Sequence, residues 1–418
     1  MRVLLSTIGS RGEVQPIVAL GRELRALGHD ARLCAPPNFK EWIESFGLAC
    51  VPIGPDVRTF SIGGGGPPRK PSPEQLQALA DGSVREQFRV LTDAAHGCDV
   101  IVGAGALQIA ARSIAESLGV PYVFAAYCPV VLPSPQHPPL KMGTHYSQSL
   151  PGVVNRMLWM RDARSFNARF RATLNDERRK RGLEPVADVR SHVFTNQPWL
   201  ASDPALSPAR PTRRMPIVQT GAWLLSDPTP LPHDLQRFLA DGEPPVYLGL
   251  GSTRTAERTG LAMIEAVRAV GCRAVVSRGW ANFDVPGGGT DCIAIGDVDH
   301  AKLFPRVAAI VHHGGAGTTT TAARAGRPQV IVPHGYDQYY WSHRVRSLGV
   351  GVSGPARDRI TVDALSLALR QCLQPDIAVR ARELARRVEP CGAQAAARRL
   401  VDMPLGKALQ PVAFKALS

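Results

Sequence analysis

The stretch Val307-Ala-Ala-Ile-Val-His-His-Gly-Gly-Ala-Gly-Thr-Thr-Thr-Thr-Ala-Ala-Arg-Ala-Gly326 decides how this chain folds. An apolar run of β type ends in paired histidines, meets a glycine-rich turn, and continues into a small-residue helix that Gly326 stops. Gly314, Gly315 and Gly317 let the backbone approach a ligand closely, and the amides of the new helix point at whatever occupies the turn. That geometry favours an anion, most often a phosphate. His313, at the strand end, can donate one hydrogen bond more. An ordinary strand–turn–helix corner explains the glycines equally well on their own. The balance shifts with the next apolar run, Gln329-Val-Ile-Val-Pro333, which leads directly into Pro333-His-Gly-Tyr-Asp-Gln338. Two loops from adjacent parallel strands then open on one edge, where such sheets bind ligands.

The same alternation extends in both directions. In the first half, Arg2 to Thr7 reads as a strand, followed by the helical stripe Ile17, Leu20, Leu24 and Leu27 ending at Gly28. Ala31 to Ala35 is a second strand, Phe39, Trp42, Ile43 and Phe46 mark a helix stopped by Gly47, and Leu48 to Ile53 is a third strand. Val100 to Val102 and Val120 to Ala126 supply the fourth and fifth. The second half repeats the scheme: strand Val246 to Leu250, helix Leu261 to Val270, then strands Ala274 to Ser277, Cys292 to Ile295, Val307 to Val311 and Val330 to Val332. Short connections between alternating elements imply parallel sheets. The expected fold is α/β, with two doubly wound, Rossmann-like domains facing each other across a cleft. Ser207 to Pro232 carries six prolines, which places the boundaries at 1–215, a linker 216–232, a second domain 233–400 and a tail 401–418. A terminal helix around Ala393 to Val401 follows.

Composition narrows the class. The 418 residues, 44% hydrophobic with 39 glycines, suit an α/β protein of two or three domains with ample core. The first residues mimic a signal peptide, but Gly9-Ser10-Arg11 stands where a small-residue cleavage site belongs. Val120 to Leu132, interrupted by prolines, is too short to span a bilayer. The chain therefore reads as cytoplasmic. Its eight cysteines show no C-x-x-C spacing, so neither a zinc site nor a disulfide framework is indicated. The net charge of +14 concentrates between Arg156 and Arg181, where nine basic residues face Asp162, Asp176 and Glu177. This is either a solvated helix face or a surface for an anionic acceptor or an acidic membrane. No aromatic-interleaved basic strand accompanies it, which argues against nucleic acid. Neither half has G-x-G-x-x-G after its first strand, and Gly9-Ser-Arg-Gly12 does not substitute, which argues against a dinucleotide oxidoreductase.

The HHGGAGT turn with its downstream DQ resembles the two-domain GT-B glycosyltransferases of family 1. It is most similar to the bacterial natural-product enzymes that glycosylate glycopeptide antibiotic aglycones and to the sterol branch. Leu4-Leu-Ser-Thr-Ile-Gly-Ser-Arg-Gly-Glu-Val-Gln-Pro16, Val246-Tyr-Leu-Gly-Leu-Gly-Ser252, Ser277-Arg-Gly-Trp280 and Ile295-Gly-Asp-Val-Asp-His300 share the resemblance and stand in the family's order. It implies an acceptor-binding first domain and a donor-binding second domain, with the terminal helix around Ala393 to Val401 crossing back to the first. His313, Gly315 and the amides of Ala316, Gly317 and Thr318 would hold the donor diphosphate, with Ser252, Ser10, Arg11 and Gly12 approaching from other loops. Trp280 and Val298 would meet the nucleobase, and Asp337 and Gln338 the sugar hydroxyls. Asp297-Val-Asp299 looks like a metal-binding pair, yet the resemblance implies no metal.

For the acceptor base the related branches carry aspartate in a GSRGD segment, where this chain has Glu13. The extra methylene displaces the carboxylate by about 1.5 Å, and Glu13 is otherwise a helix-cap residue or a partner for Arg11. Asp337 is a possible assistant, with His137 and His145, in the proline-rich loop Pro129 to Gly143, in reserve. Ile62 to Pro68 is a second loop on the acceptor side. The resemblance implies inverting transfer of a hexose, glucose favoured, from a UDP- or dTDP-sugar to a hydroxyl of a hydrophobic or aromatic natural product. No other cofactor is implied, and a monomer or dimer is expected. A sterol or lipid glucosyltransferase with peripheral anionic membrane contact and a non-catalytic partner keeping the fold are the alternatives.

Overall fold

The structure is a computed structural model that describes residues 1–57, 71–140, 145–210, 215–251, 257–279, 290–356 and 359–404. Ser252, Trp280, the loop Ile62 to Pro68 and nearly all of the expected tail 401–418 lie outside the described residues. Strands β1 (Arg2–Thr7), β2 (Asp30–Ala35), β3 (Ala49–Pro52), β4 (Val100–Ala104), β5 (Tyr122–Ala126), β6 (Trp199–Leu200) and β7 (Val218–Gln219) build one sheet, ordered β3-β2-β1-β4-β5-β6-β7. Strands β8 (Val246–Gly249), β9 (Ala274–Ser277), β10 (Cys292–Ile295), β11 (Ala309–His312), β12 (Gln329–Ile331) and β13 (Gly351–Ser353) build the other, ordered β10-β9-β8-β11-β12-β13. Pairing is parallel throughout, with Leu5 registered against Leu33 on one side and Val102 on the other.

Parallel strands covered on both faces read as continuous apolar runs, and β1 follows that rule. Val3, Leu4 and Leu5 are all buried, and they divide by the strand's two-residue period. Val3 and Leu5 join the core beneath the helix Arg11–Ala26, whereas Leu4 joins the opposite core with Phe88 and Leu91 of the helix Pro73–Ala94. Gly21 lets the first helix settle on β2, because a Cβ there would press on Leu33 and Leu48 at 3.2–3.3 Å. The strands β6, β7 and β13 were not expected from the sequence. Each has only two or three residues and lies toward a sheet edge, so none carries a long apolar run.

The linker drawn from the prolines differs from the structure, and the terminal helix returns to the first body. β7 lies inside the expected linker 216–232 and extends the first sheet, because Val218 and Gln219 pair with Trp199 and Leu200. The helix Gly392–Val401, inside the expected second domain, buries Ala393, Ala396, Ala397 and Leu400 in the core under the first helix. Its alanines permit that close approach. The chain thus crosses between the bodies twice, and the crossings touch. A Cβ on Gly221 would lie 3.0 Å from the Gly392 Cα, and one on Gly392 would lie 2.4 Å from the Ala222 carbonyl oxygen. Cys128, Val130 and Leu206 from the first body pack with Ile331, Tyr340 and Trp341 from the second.

In each sheet the strand order reverses direction beside the first strand of its body, between β1 and β4 and between β8 and β11. Crevices outside the carboxyl ends of strands at such switch points are where doubly wound sheets bind ligands. The turns at these two points carry Glu13 and His313.

Candidate active site

On the second body, β11 ends in two histidines with divided duties. His312 is buried, with Nε2 2.9 Å from Gln329 Oε1, and its Nδ1 accepts from the Gly314 amide at 3.1 Å. Burial pushes its pKa down to about 3, so the ring is neutral and fixes the left-handed Gly314 (φ +92). His313 faces the other way. Its ring sits between the Gly251 turn after β8 and Gly315, leaving no room for a Cβ on either: the nearest ring atoms would be 2.7 and 2.6 Å away. Burial holds its pKa down at about 4, and its Nδ1 is buried without a hydrogen-bond partner among the described residues. The helix Ala316–Arg324 begins beside it with Gly315 as N-cap and no side-chain cap. The amides of Ala316, Gly317 and Thr318 are among those a helix cannot satisfy internally. Thr319, Thr320 and Thr321 turn their hydroxyls back to carbonyls four residues earlier. A partnerless imidazole nitrogen beside an uncapped positive helix end has the chemistry to receive an anion.

On the first body, the helix Arg11–Ala26 places Glu13 in its first turn, where the carboxylate accepts from the Ser10 amide at 3.1 Å. The carboxyl group lies over Gly9 of the β1 turn, so closely that a Cβ there would fall 1.3 Å from Oε2. A Cβ on Gly105, in the turn after β4, would lie 3.3 Å from Oε1. Tyr127, beyond β5, donates to the Glu13 carbonyl oxygen at 3.1 Å. Burial raises the Glu13 pKa to about 7, against the pull of the Ser10 amide, and the charge of Asp337 pushes it further. Asp337 comes from the second body. Its Oδ2 accepts from the buried Trp341 indole at 2.9 Å, and burial lifts its pKa to about 6. The Asp337 charge, from the opposite body, thus reaches Glu13 across the cleft. Gly105, Tyr127 and Trp341 carried no sequence signal of their own, since each acts through tertiary contact.

The remaining expected residues divide. Gln338 is at the cleft, but its Oε1 accepts from the His334 and Gly335 amides at 2.6 and 3.2 Å. It shapes the loop as well as offering its amide group. Arg11 is not left free for a phosphate here: it pairs with Asp297 of the second body and lies 4.8 Å from the Trp42 ring centroid. Ser10 precedes the first helix, and Gly12 is exposed within its first turn. Val298 packs against the cluster containing Leu303 and Phe304. Asp299 caps the helix His300–Leu303 through the Ala301 amide at 2.8 Å and accepts from the Asp227 amide at 3.2 Å. With Asp297 held by Arg11, this pair is occupied with protein donors. His137 is buried between Trp159 and Tyr340 with its pKa pushed down to about 4, a packing residue. His145 stacks on Tyr339 at 3.9 Å. In the basic segment, Arg178, Arg179, Lys180 and Arg181 are tied to Glu116, Asp176 and Glu177. That end of the helix Gly152–Arg179 spends its charge internally, while Arg156, Arg161 and Arg164 stay exposed. Among the described residues no helix is long and apolar enough to cross a membrane.

Residues 3–133 match the Glycosyltransferase family 28 N-terminal domain, and residues 290–401 match the Erythromycin biosynthesis protein CIII-like, C-terminal domain. These family matches, with the two doubly wound bodies, make this a GT-B-fold, nucleotide-sugar-dependent glycosyltransferase. A vancomycin aglycone glucosyltransferase of Amycolatopsis orientalis is 43% identical, covering 96% of this chain and 97% of that protein. By fold, the chain is similar to a spinosyn forosaminyltransferase (TM-score 0.71, 18% identity) and to the glycosyltransferase VinC in complex with dTDP (TM-score 0.66, 21% identity). Each comparison covers 96% of this chain and 98% of the other. The chain belongs to the natural-product glycosyltransferases of family 1.

Proposed function

We propose that this enzyme moves a hexose, glucose by preference, with inversion from a UDP- or dTDP-sugar to a hydroxyl of an aromatic natural product. The observation that carries the reading is the pairing of Glu13, with its raised pKa, with Asp337 of the facing body, beside the uncapped helix end at Gly315. Glu13 takes the proton of the acceptor hydroxyl as that oxygen attacks the anomeric carbon, and the bond to the diphosphate breaks in the same displacement. Negative charge grows on the leaving diphosphate. The Ala316, Gly317 and Thr318 amides and neutral His313 meet it there, where stabilisation counts most. Asp337 and the Gln338 amide hold sugar hydroxyls, and the first body supplies the acceptor surface. Ser252 and Trp280 keep their proposed contacts to phosphate and base. Arg11 joins the phosphates by exchanging Asp297 for the donor.

The A. orientalis relative, named for glucosyl transfer to vancomycin aglycone, supports a glycopeptide-like acceptor, and VinC, named with dTDP, supports a nucleoside diphosphate in the second body. The lipid-surface alternative is weakened by the four basic residues that are ion-paired within the fold. Thermal shift with UDP and dTDP in EDTA tests the donor half, and product mass with an aglycone acceptor tests the rest. Stabilisation that requires Mg²⁺ would replace this reading with one through Asp297 and Asp299. No turnover and no donor hydrolysis would leave a binding protein.

A further inference from the structure

We propose that Asp297 governs release of the nucleoside diphosphate: its carboxylate competes with the phosphates for Arg11, and the nucleotide leaves as Asp297 takes the guanidinium back. The inference rests on the donor reading above. Arg11 and Asp297 come from opposite bodies and pair across the cleft. His300 locates that pair. Its ring stacks on Phe304, 4.5 Å between centroids, and its Nε2 lies 3.0 Å from the Tyr247 hydroxyl. Burial lowers the His300 pKa to about 4, and Arg11, Asp297 and His313 act on it electrostatically as well. Arg11, Asp297 and His313 therefore lie around one fixed ring. The helix Arg11–Ala26 also comes against the helix Ala316–Arg324. A guanidinium so placed stands beside any anion held at the start of the second of these helices.

The two acids of the Asp297–Asp299 loop are held differently. Asp299 is locked, accepting from the Ala301 and Asp227 amides. Lys302, just beyond it, donates to the Thr229 carbonyl oxygen, so the segment between the bodies keeps this loop in place whether or not Arg11 holds it. The Asp297 side chain is 78% exposed and is held by Arg11. Arg11 keeps a resting place on its own body, 4.8 Å from the Trp42 centroid, whichever anion it faces. An exposed ion pair contributes little to stability, so this one can open at small cost. Release is the step that needs it. Once the sugar has been transferred, the diphosphate keeps every contact proposed for the donor phosphates. A carboxylate that reclaims Arg11 removes one of them.

The test is calorimetric titration of UDP, dTDP and their nucleosides, in EDTA, into the parent, Asp297→Asn, Arg11→Ala and the double variant. Asparagine keeps the size of Asp297 and removes the charge that competes for Arg11. Expected for Asp297→Asn is a nucleoside diphosphate Kd about three- to sixfold lower, the gain from freeing an arginine held by an exposed ion pair. Slower dissociation in stopped-flow displacement should carry the gain, with nucleoside affinity within twofold of the parent and Tm unchanged. On the Arg11→Ala background the same substitution should shift the diphosphate Kd by less than twofold. A mere loss of negative charge near the phosphates would act on both backgrounds alike. Unchanged or weaker diphosphate binding by Asp297→Asn, an equal gain on both backgrounds, or a gain carried only by faster association overturns the proposal. If the parent binds neither diphosphate in EDTA, the donor reading falls and the role of Asp297 falls with it. Binding by the parent with no gain in Asp297→Asn overturns the role of Asp297 alone.

Discussion

Replacing Glu13 by glutamine should alter catalysis and stability with opposite signs, and the pH dependence of both follows from one number. The Glu13 pKa rises from 4.5 to about 7 on folding, which at about 1.4 kcal/mol per unit corresponds to at most ~3.5 kcal/mol. Because the folded value lies above the unfolded one, the contribution to stability is fully present below pH 4.5. It is lost as pH climbs through 7. Glutamine keeps the size and the hydrogen bond from the Ser10 amide but never ionises. Glu13→Gln should therefore unfold like the parent at pH 4 and gain stability on it steadily between pH 5 and 8. Activity runs the other way. The parent needs the ionised carboxylate, so its kcat/KM should rise with pH to a plateau with a midpoint near 7. Glu13→Gln should lose roughly 10²–10⁴-fold at that plateau. Asp337→Asn should move the parent's midpoint to lower pH by removing a neighbouring charge, since the two groups titrate as a pair. The assays are initial rates with mass detection of product and calorimetric melting, both across pH 4–9. A parent midpoint near 4.5, or a Gln variant whose stability gap ignores pH, refutes the account of Glu13 as a buried base.

Gly9→Ala should cost turnover on the scale of losing the base, about 10²-fold or more, because the new Cβ claims the position of Glu13 Oε2; activity within threefold of the parent would mean the carboxylate is not needed over Gly9. His313→Ala should weaken UDP or dTDP by calorimetry far more than the free nucleoside, and equal losses would show that the ring does not meet phosphate. Gln338→Ala should lower turnover and shift donor-sugar preference while nucleoside diphosphate affinity barely changes; an unaltered donor profile and rate would remove it from the sugar site.

What the sequence disclosed was local chemistry. Arg2–Thr7, Ala274–Ser277 and Cys292–Ile295 match their expected bounds because apolar runs between turn residues leave one reading. The glycine turn and helix start at Gly314–Thr318 were legible because glycine and helix ends act through the backbone, whatever surrounds them. The helix expected over Leu261 to Val270 instead spans Glu257–Arg268, since its polar first turn hides from an apolar pattern. Contacts between distant segments were not legible. Arg11 and Asp297 are 286 residues apart, and nothing near Arg11 distinguishes a guanidinium for phosphate from one for a carboxylate. His137 and His145 drew notice as possible bases, but what they do depends on Trp159, Tyr340 and Tyr339, which only folding brings beside them. Position and resemblance singled out Glu13 in the sequence, while its raised pKa arises from burial and Asp337, which only the fold supplies.

The helix Gly392–Val401, seated in the core of the first body, also constrains how the enzyme is made. Chains are synthesised from the amino terminus, and early domains ordinarily close while later ones are still emerging. Here the first body cannot finish until the last helix described has left the ribosome. Until then, the apolar surface beneath the first helix that Ala393, Ala396, Ala397 and Leu400 later cover stands open. Synthesis must carry an unfinished half through the whole making of the other. The two halves mature together, and a cell cannot accumulate a completed first body without the second.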